Sequence, residues 1–251
     1  MKSKNIFTVL TFVFFSSFCS SQEQVQVFAT YDFKNTNTGK TQLVELRVNE
    51  KAAYSEFFES KKLADTLYAD EFENVFFEKE SKDSIGQQYY LSNNELVFRD
   101  HIYTNNEFVA VVVTEGLPKM DWILKKGTIL MNGFTCNVAS LDFRGRVYNV
   151  WYTNEVPTKF GPWKFHGLSG LIVKIETEDK SVKFQLTSII FEQNQKIGMP
   201  TLGKKITFQE FVQYEEKITS DFVEKLKTKL PRGTTIQVND TESTNIEKNY
   251  K

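Results

Sequence analysis

The chain predicts a mainly antiparallel β fold, and three observations carry that prediction. Apolar and polar residues alternate at period two in one segment after another. The segments are short. Gly-, Asn- or charge-rich turns separate them. Only one C-terminal stretch replaces this pattern with helical spacing. The expected architecture is a strongly curved sheet or open half-barrel packed by that helix, with a β-sandwich as the alternative.

Val25, Val27, Ala29, Tyr31 and Phe33 alternate, residues 35–39 turn, and Leu43–Val48 read extended again, which makes a hairpin. Residues 51–70 fit either a short helix through Ala52, Ala53, Phe57 and Phe58 or a covering loop. Short strands follow at 75–77, 89–91 and 96–99, then a stronger one at 107–114. Residues 122–124 and 129–131 read as two strands joined by a Lys125-Lys126-Gly127 turn. The next strands are 134–141, 147–153, 171–177 and 182–191. In the last three, Tyr148/Val150/Tyr152, Leu171/Val173/Ile175 and Val182/Phe184/Leu186 lie opposite Val147/Asn149/Trp151, Ile172/Lys174/Glu176 and Lys183/Gln185/Thr187, and one face of each strand packs inward. Thr207 and Glu210 fit a capping box, and Phe208, Phe211, Val212, Ile218, Phe222, Val223 and Leu226 give a helix over 207–228 that Pro231 and Gly233 end. Residues 22–233 read as a single domain, and 234–251 as a loosely held tail.

The N-terminus reads as a signal peptide over 1–21. Lys2 and Lys4 precede the apolar run 6–15, and small polar residues lead to a cut after Ser21. The run is too short to span a bilayer, and no later run is long and apolar enough. The expected location is periplasmic, outer-membrane-associated or secreted. Without residues 1–21, which hold two lysines and no acid, 29 basic and 32 acidic residues remain, for a formal charge of −3. Such a mixed, mildly acidic surface offers no footprint for nucleic acid. Cys136 is then the sole cysteine, so packing rather than a disulfide must stabilise the domain. Phe134 and Val138 flank Cys136 on the same alternation, which reads as a buried thiol.

Residues 132–176 concentrate aromatic, glycine and proline residues. Two readings compete there. The aromatics pack the core, or they line a site for an apolar ligand, peptide or envelope partner, with Tyr148, Trp151, Tyr152, Trp163, Phe165 and His166 as the contact residues. Gly133, Cys136, Gly145, Pro157, Gly161, Pro162, Gly167 and Gly170 read as structural, shaping turns and close approaches. Arg144 and Arg146 read as paired cations or an anion grip.

The chemistry-bearing residues of the segment are Cys136, Asp142, Glu155 and His166. A Cys–His pair would need the two side chains in hydrogen-bond reach, which spacing does not supply. Only His101 and His166 are available as imidazole ligands, with no HxH, HExxH or paired cysteines. No Gly-rich nucleotide loop occurs. No catalytic residue, metal or cofactor is therefore assigned.

Gly133-Phe134-Thr135-Cys136, Phe143-Arg144-Gly145-Arg146, Trp151-Tyr152-Thr153, Glu155-Val156-Pro157 and Gly161-Pro162-Trp163-Lys164-Phe165 together resemble the GLPGLI family of exported Bacteroidota proteins. The hexapeptide of that name stands as Gly167-Leu168-Ser169-Gly170-Leu171-Ile172, with Ser169 in place of proline. The resemblance is strongest over 120–190. It implies a bacterial envelope or secreted setting and no particular reaction. In that setting Asp65-Thr66-Leu67 and Asp83-Ser84-Ile85 resemble O-glycosylation acceptors at Thr66 and Ser84. The expected function is a non-enzymatic binding or accessory module. The alternatives are an envelope hydrolase and a purely structural envelope protein.

Overall fold

The computed structural model describes residues 27–59, 66–69, 75–78, 84–104, 107–191, 197–217, 246–247 and 250. The expected leader and residues 218–228 of the expected helix lie outside them. The first eight strands are β1 (Val27–Asn35), β2 (Lys40–Val48), β3 (Ala52–Glu59), β4 (Thr66–Ala69), β5 (Val75–Glu78), β6 (Gln88–Ser92), β7 (Glu95–Thr104) and β8 (Glu107–Gly116). The remaining six are β9 (Ile123–Met131), β10 (Phe134–Phe143), β11 (Arg146–Thr153), β12 (Leu171–Thr177), β13 (Val182–Ile190) and β14 (Lys204–Thr207). Residues 208–217 form helix α1.

Twelve strands make one sheet in the order β14-β8-β7-β6-β3-β2-β1-β13-β12-β11-β10-β9, and β4 pairs separately with β5. Every pairing in the large sheet is antiparallel except β14 with β8. The sheet does not close into a barrel, and α1 packs against it through Phe211, whose ring lies 5.2 Å from that of Phe98. The Thr207 backbone N–H donates to Glu210 Oε2 at 2.7 Å, and the Glu210 N–H donates to Thr207 Oγ1 at 3.2 Å, so the expected capping box starts α1.

β-Bulges account for the curvature. β1 pairs past Thr187 in β13, β11 past Val173 in β12, and β10 past Lys126 and Gly127 in β9. Each extra residue bends its strand and increases the local twist. The bend at Val173 has a partner. The Tyr31 hydroxyl on β1 donates to the Ile172 carbonyl at 2.8 Å, in the stretch of β12 that β13 does not pair. Curling brings distant strands together: the Trp163 ring lies 6.4 Å from Tyr89 on β6 and 6.3 Å from Tyr148 on β11, although five strands separate those two in the sheet.

The structure corrects several local expectations. Residues 52–59 form strand β3, neither helix nor loop, with Ala53, Ser55 and Phe57 buried on its inner face. Small residues at 53 and 55 hid the alternation. Residues 123–131 form one strand. Gly127, at φ 92°, makes a bulge within it instead of a turn between two strands. The matching register shift after Asn137 puts Ala139 in phase with buried Cys136, and Val138 is only half-buried. Most of 234–251 lies outside the described residues. The exceptions, Ile246, Glu247 and Tyr250, pack against the domain, whereas the sequence predicts a loosely held tail there.

Candidate functional site

The loop between β11 and β12, residues 154–170, crosses the hollow of the curved sheet, and its backbone explains how. Gly161 N–H donates to the Phe165 carbonyl at 2.8 Å, Gly167 N–H to Lys159 at 2.7 Å, and Leu171 N–H to Val156 at 2.9 Å. These bonds fold the loop back on itself. Gly170 is packed so closely on the β11 end that any Cβ would collide with the Thr153 carbonyl. Trp163 adopts φ 59°, a left-handed conformation uncommon outside glycine and asparagine, and its N–H donates to Ser55 Oγ at 3.1 Å. The absence of a large side chain at 55 makes room for that contact.

Most of the aromatic residues expected at a ligand site are core. Trp163 is 1% exposed and packs on Tyr89, Phe143, Tyr148 and Phe165. Phe165 and Tyr148 are fully buried, their ring centroids 5.1 Å apart. Trp151 is half-buried on the opposite face of β11, where the Lys174 ammonium lies 4.6 Å from its ring. Tyr152, 5% exposed, is core as well, and His166 is half-buried. His166 Nε2 meets the Pro118 carbonyl at 2.9 Å, and burial draws its imidazole toward the neutral form despite that contact. Of the expected structural residues, Gly133 and Gly145 occupy left-handed positions in the two-residue turns after β9 and β10. Gly161 and Pro162 are buried and Pro157 is exposed, while Gly167, at φ 91°, lies beside the Trp122 indole.

Of the four chemistry-bearing residues only Cys136 and Glu155 come near each other, and no nucleophile–base pair forms. Cys136 is fully buried and its thiol donates to the Phe134 carbonyl at 3.6 Å. Burial first, then the Glu155 carboxylate, push this thiol up, the reverse of what a nucleophile requires. Glu155 accepts from the Thr135 backbone N–H at 2.8 Å. Asp142 is exposed, and His166 is engaged with Pro118 and not with Cys136. Among the described residues no group of three or more His, Cys, Asp or Glu side chains is placed to hold a metal ion.

Two features were not legible beforehand. The first is a shallow groove of about 600 Å³ beside the edge strand β9, lined by Trp122, Ile123, Leu124, Tyr152, Leu168 and their neighbours. Trp122 forms its wall, held by an Nε1–H bond to the His166 carbonyl at 2.8 Å. Beyond the groove β9 presents large apolar side chains to solvent: Ile123 is 66% exposed, Leu124 64% and Leu130 76%, with Ile129 also exposed. The period-two signal of β9 is weak because both its faces meet water. The second feature is a buried quartet of charges, Glu115, Arg144, Lys164 and Glu247. Its members are up to 132 positions apart in sequence.

No family model and no curated protein matches the chain. Solved structures do. PNGF-II in one crystal form aligns with a TM-score of 0.50 at 16% identity, over 77% of this chain and 33% of that one. A second crystal form of PNGF-II aligns with a TM-score of 0.48 at 17% identity, over 78% and 33%. An uncharacterized conserved protein from Thermus thermophilus aligns with a TM-score of 0.39 at 9% identity, over 73% and 90%. The chain thus matches only 33% of the length of PNGF-II, and at such identity the likeness concerns the fold alone.

Proposed function

We propose that this chain is a non-enzymatic binding or accessory module of the bacterial envelope or secreted space, a member of the GLPGLI family, and that it captures an extended apolar peptide segment of an envelope protein along β9. The observation that carries the proposal is the exposure of Ile123, Leu124, Ile129 and Leu130 on a sheet edge that borders the Trp122–Leu168 groove. Large apolar side chains exposed beside a groove mark interaction sites. An edge strand also offers its outward backbone groups to a guest strand. Lys125, Lys126 and the Gly127 bulge interrupt that edge in its middle, so a guest pairs over short stretches and does not template open-ended stacking. The lysine pair favours a guest with an acidic residue at the interruption.

Peptide is favoured over a small apolar ligand because the groove is open, and small molecules are held in enclosing cavities. The hydrolase alternative draws no support from Cys136, Asp142, Glu155 and His166: only Glu155 lies near Cys136, and it disfavours the thiolate. A purely structural role accounts for the buried aromatics but not for the exposed row.

The test uses a photo-crosslinking residue at Leu124 and, as a control, at Glu178 in the β12–β13 turn. An envelope protein should be crosslinked from position 124 and not from 178. Its purified form should lose at least ten-fold in affinity for the Leu124→Asp, Leu130→Asp double variant, whose melting temperature should stay near that of the parent because both positions face water. Equal crosslinking from both positions, or unchanged affinity, would refute the assignment.

A further inference from the structure

Inside the curl, two cations converge on one carboxylate. Arg144, in the turn after β10, donates through Nη1 to Glu247 Oε1 at 2.6 Å and through Nη2 to Glu115 Oε1. Lys164 Nζ donates to the same Glu247 Oε1 at 2.9 Å and to its Oε2 at 3.1 Å, and lies 3.6 Å from Glu115 Oε2. The four side chains are between 2% and 9% exposed. Aromatic rings wall the cup. Lys164 Nζ is 4.5 Å from the Phe98 ring, and the Arg144 guanidinium is 4.7 Å from Phe208, 5.1 Å from Phe143 and 6.0 Å from Tyr250.

Three of the four charges belong to the frame: Glu115 to β8, Arg144 to the β10–β11 turn, Lys164 to the loop pinned by Ser55. Glu247 arrives from the C-terminal segment, 103 positions beyond Arg144. Its described neighbours complete a small docking pattern. The Ile246 carbonyl accepts from the Tyr148 hydroxyl at 2.9 Å, and the Tyr250 ring stacks edge-on against Phe208 and Phe211. Ile246, Glu247 and Tyr250 thus dock as a bound peptide does, through one main-chain anchor, one carboxylate and one aromatic ring.

Stability alone does not explain the arrangement. A buried ionic cluster is commonly no more stabilising than apolar residues of the same volume, since desolvation offsets the Coulombic gain. The backbone that presents Lys164 is also unusual: Trp163, immediately before it, has φ 59°, whereas the φ of 49° at Arg144 is what its two-residue turn requires. A left-handed non-glycine position such as Trp163 persists only where the surroundings impose it.

We infer that the Arg144–Lys164 cup is a recognition site for a peptide glutamate flanked by apolar and aromatic side chains, and that Glu247 holds it as a built-in competitor. A partner segment with the chemistry of residues 246–250 displaces the chain's own C-terminal segment. The site is separate from the β9 groove and stands without it.

The probe is a labelled, acetylated peptide with the sequence of residues 245–251, Asn-Ile-Glu-Lys-Asn-Tyr-Lys. The full-length Glu247→Ala variant should bind it at least ten-fold more tightly than the wild type, because the internal carboxylate no longer competes. Glu247→Gln, which preserves shape, serves should the alanine variant not fold. On either variant, a probe carrying glutamine in place of its own glutamate should bind at least ten-fold more weakly. This peptide-side change leaves protein folding untouched. Equal affinity of wild type and variant, or indifference to the probe's carboxylate, overturns the inference and leaves a fixed structural quartet. A wild-type dimer that exchanges C-terminal segments, seen by light scattering, overturns the partner and assigns the cup to a second copy.

Discussion

Replacing Trp163 separates packing from backbone strain at one position. The indole is 1% exposed, with four aromatic neighbours whose ring centroids lie 5.1–6.4 Å away. Truncating a buried aromatic to alanine costs about 3–5 kcal/mol, and both arms of the curled sheet lose their shared contact, so the upper part of that range applies. For a domain of this size each kcal/mol is worth roughly 2–4 °C, so a loss of about 4–5 kcal/mol in Trp163→Ala should lower the melting temperature by about 8–20 °C. Alanine keeps the strained φ of 59°, while glycine relieves it. At such a position glycine is favoured over alanine by about 1 kcal/mol, the reverse of the usual order. Trp163→Gly should therefore be the more stable of the two by roughly that amount. Thermal melts followed by far-UV circular dichroism measure the first value, and equilibrium urea unfolding the second. A Trp163→Ala protein that melts within 2 °C of wild type would refute the packing argument, and a glycine variant less stable than alanine would refute the strain argument.

Gly170→Val should destabilise by about 2–3 kcal/mol or prevent folding, because its Cβ would fall on the Thr153 carbonyl; urea midpoints of purified protein check this. Asp179 gives a pH signature. Burial opposes its charge, but the Ser181 and Thr177 hydroxyls, the Ser181 N–H and Arg146 outweigh burial and hold its carboxyl well below the ordinary range. Its contribution is therefore complete above an unfolded value of about 3.9 and is lost as the pH falls further. The melting gap between wild type and Asp179→Asn should be widest above pH 4 and narrow toward pH 2; a constant gap would contradict this. Ser84 is exposed, as an O-glycan acceptor must be, whereas the Thr66 side chain lies outside the described residues. Protein from its native host should carry a hexose-containing mass excess that Ser84→Ala removes, and an unmodified mass would count against glycosylation at either position.

Strands that bury one face were the legible ones. In β11 and β13 the two-residue alternation is visible in the sequence, and Tyr148/Val150/Tyr152 and Val182/Phe184/Leu186 are the sets that are buried. Alternation failed where its premise failed. In β3 the inward positions are Ala53, Ser55 and Phe57; two of them are small, and Ser55 accepts the Trp163 N–H. In β9 no face is buried, and the left-handed glycine of a bulge reads like that of a turn. The four residues of β14 include two lysines and borrow their order from β8. The aromatic segment announced itself, but composition does not distinguish rings that face a ligand from rings that face one another. The charge quartet was invisible because no local pattern links Glu115, Arg144, Lys164 and Glu247; only the curl of the sheet brings them together.

The position of β1 has a consequence for the order of folding. Strands β2, β3, β6, β7 and β8 form one set of sequence-near pairings and β9 to β13 another, and β1 is the seam where the sets meet through its pairing with β13. Phe28 pairs with Ile190, so the seam cannot form until the chain has been synthesised through Ile190 and has left the ribosome. Each half can gather local contacts early, but closing a loop of that length makes the seam late and slow. Until then β1 and β13 both present open edges of alternating aromatic and aliphatic residues, a liability for intermolecular pairing. Slow assembly at one central strand, rather than weakness of the finished core, is where this architecture is most exposed to misfolding.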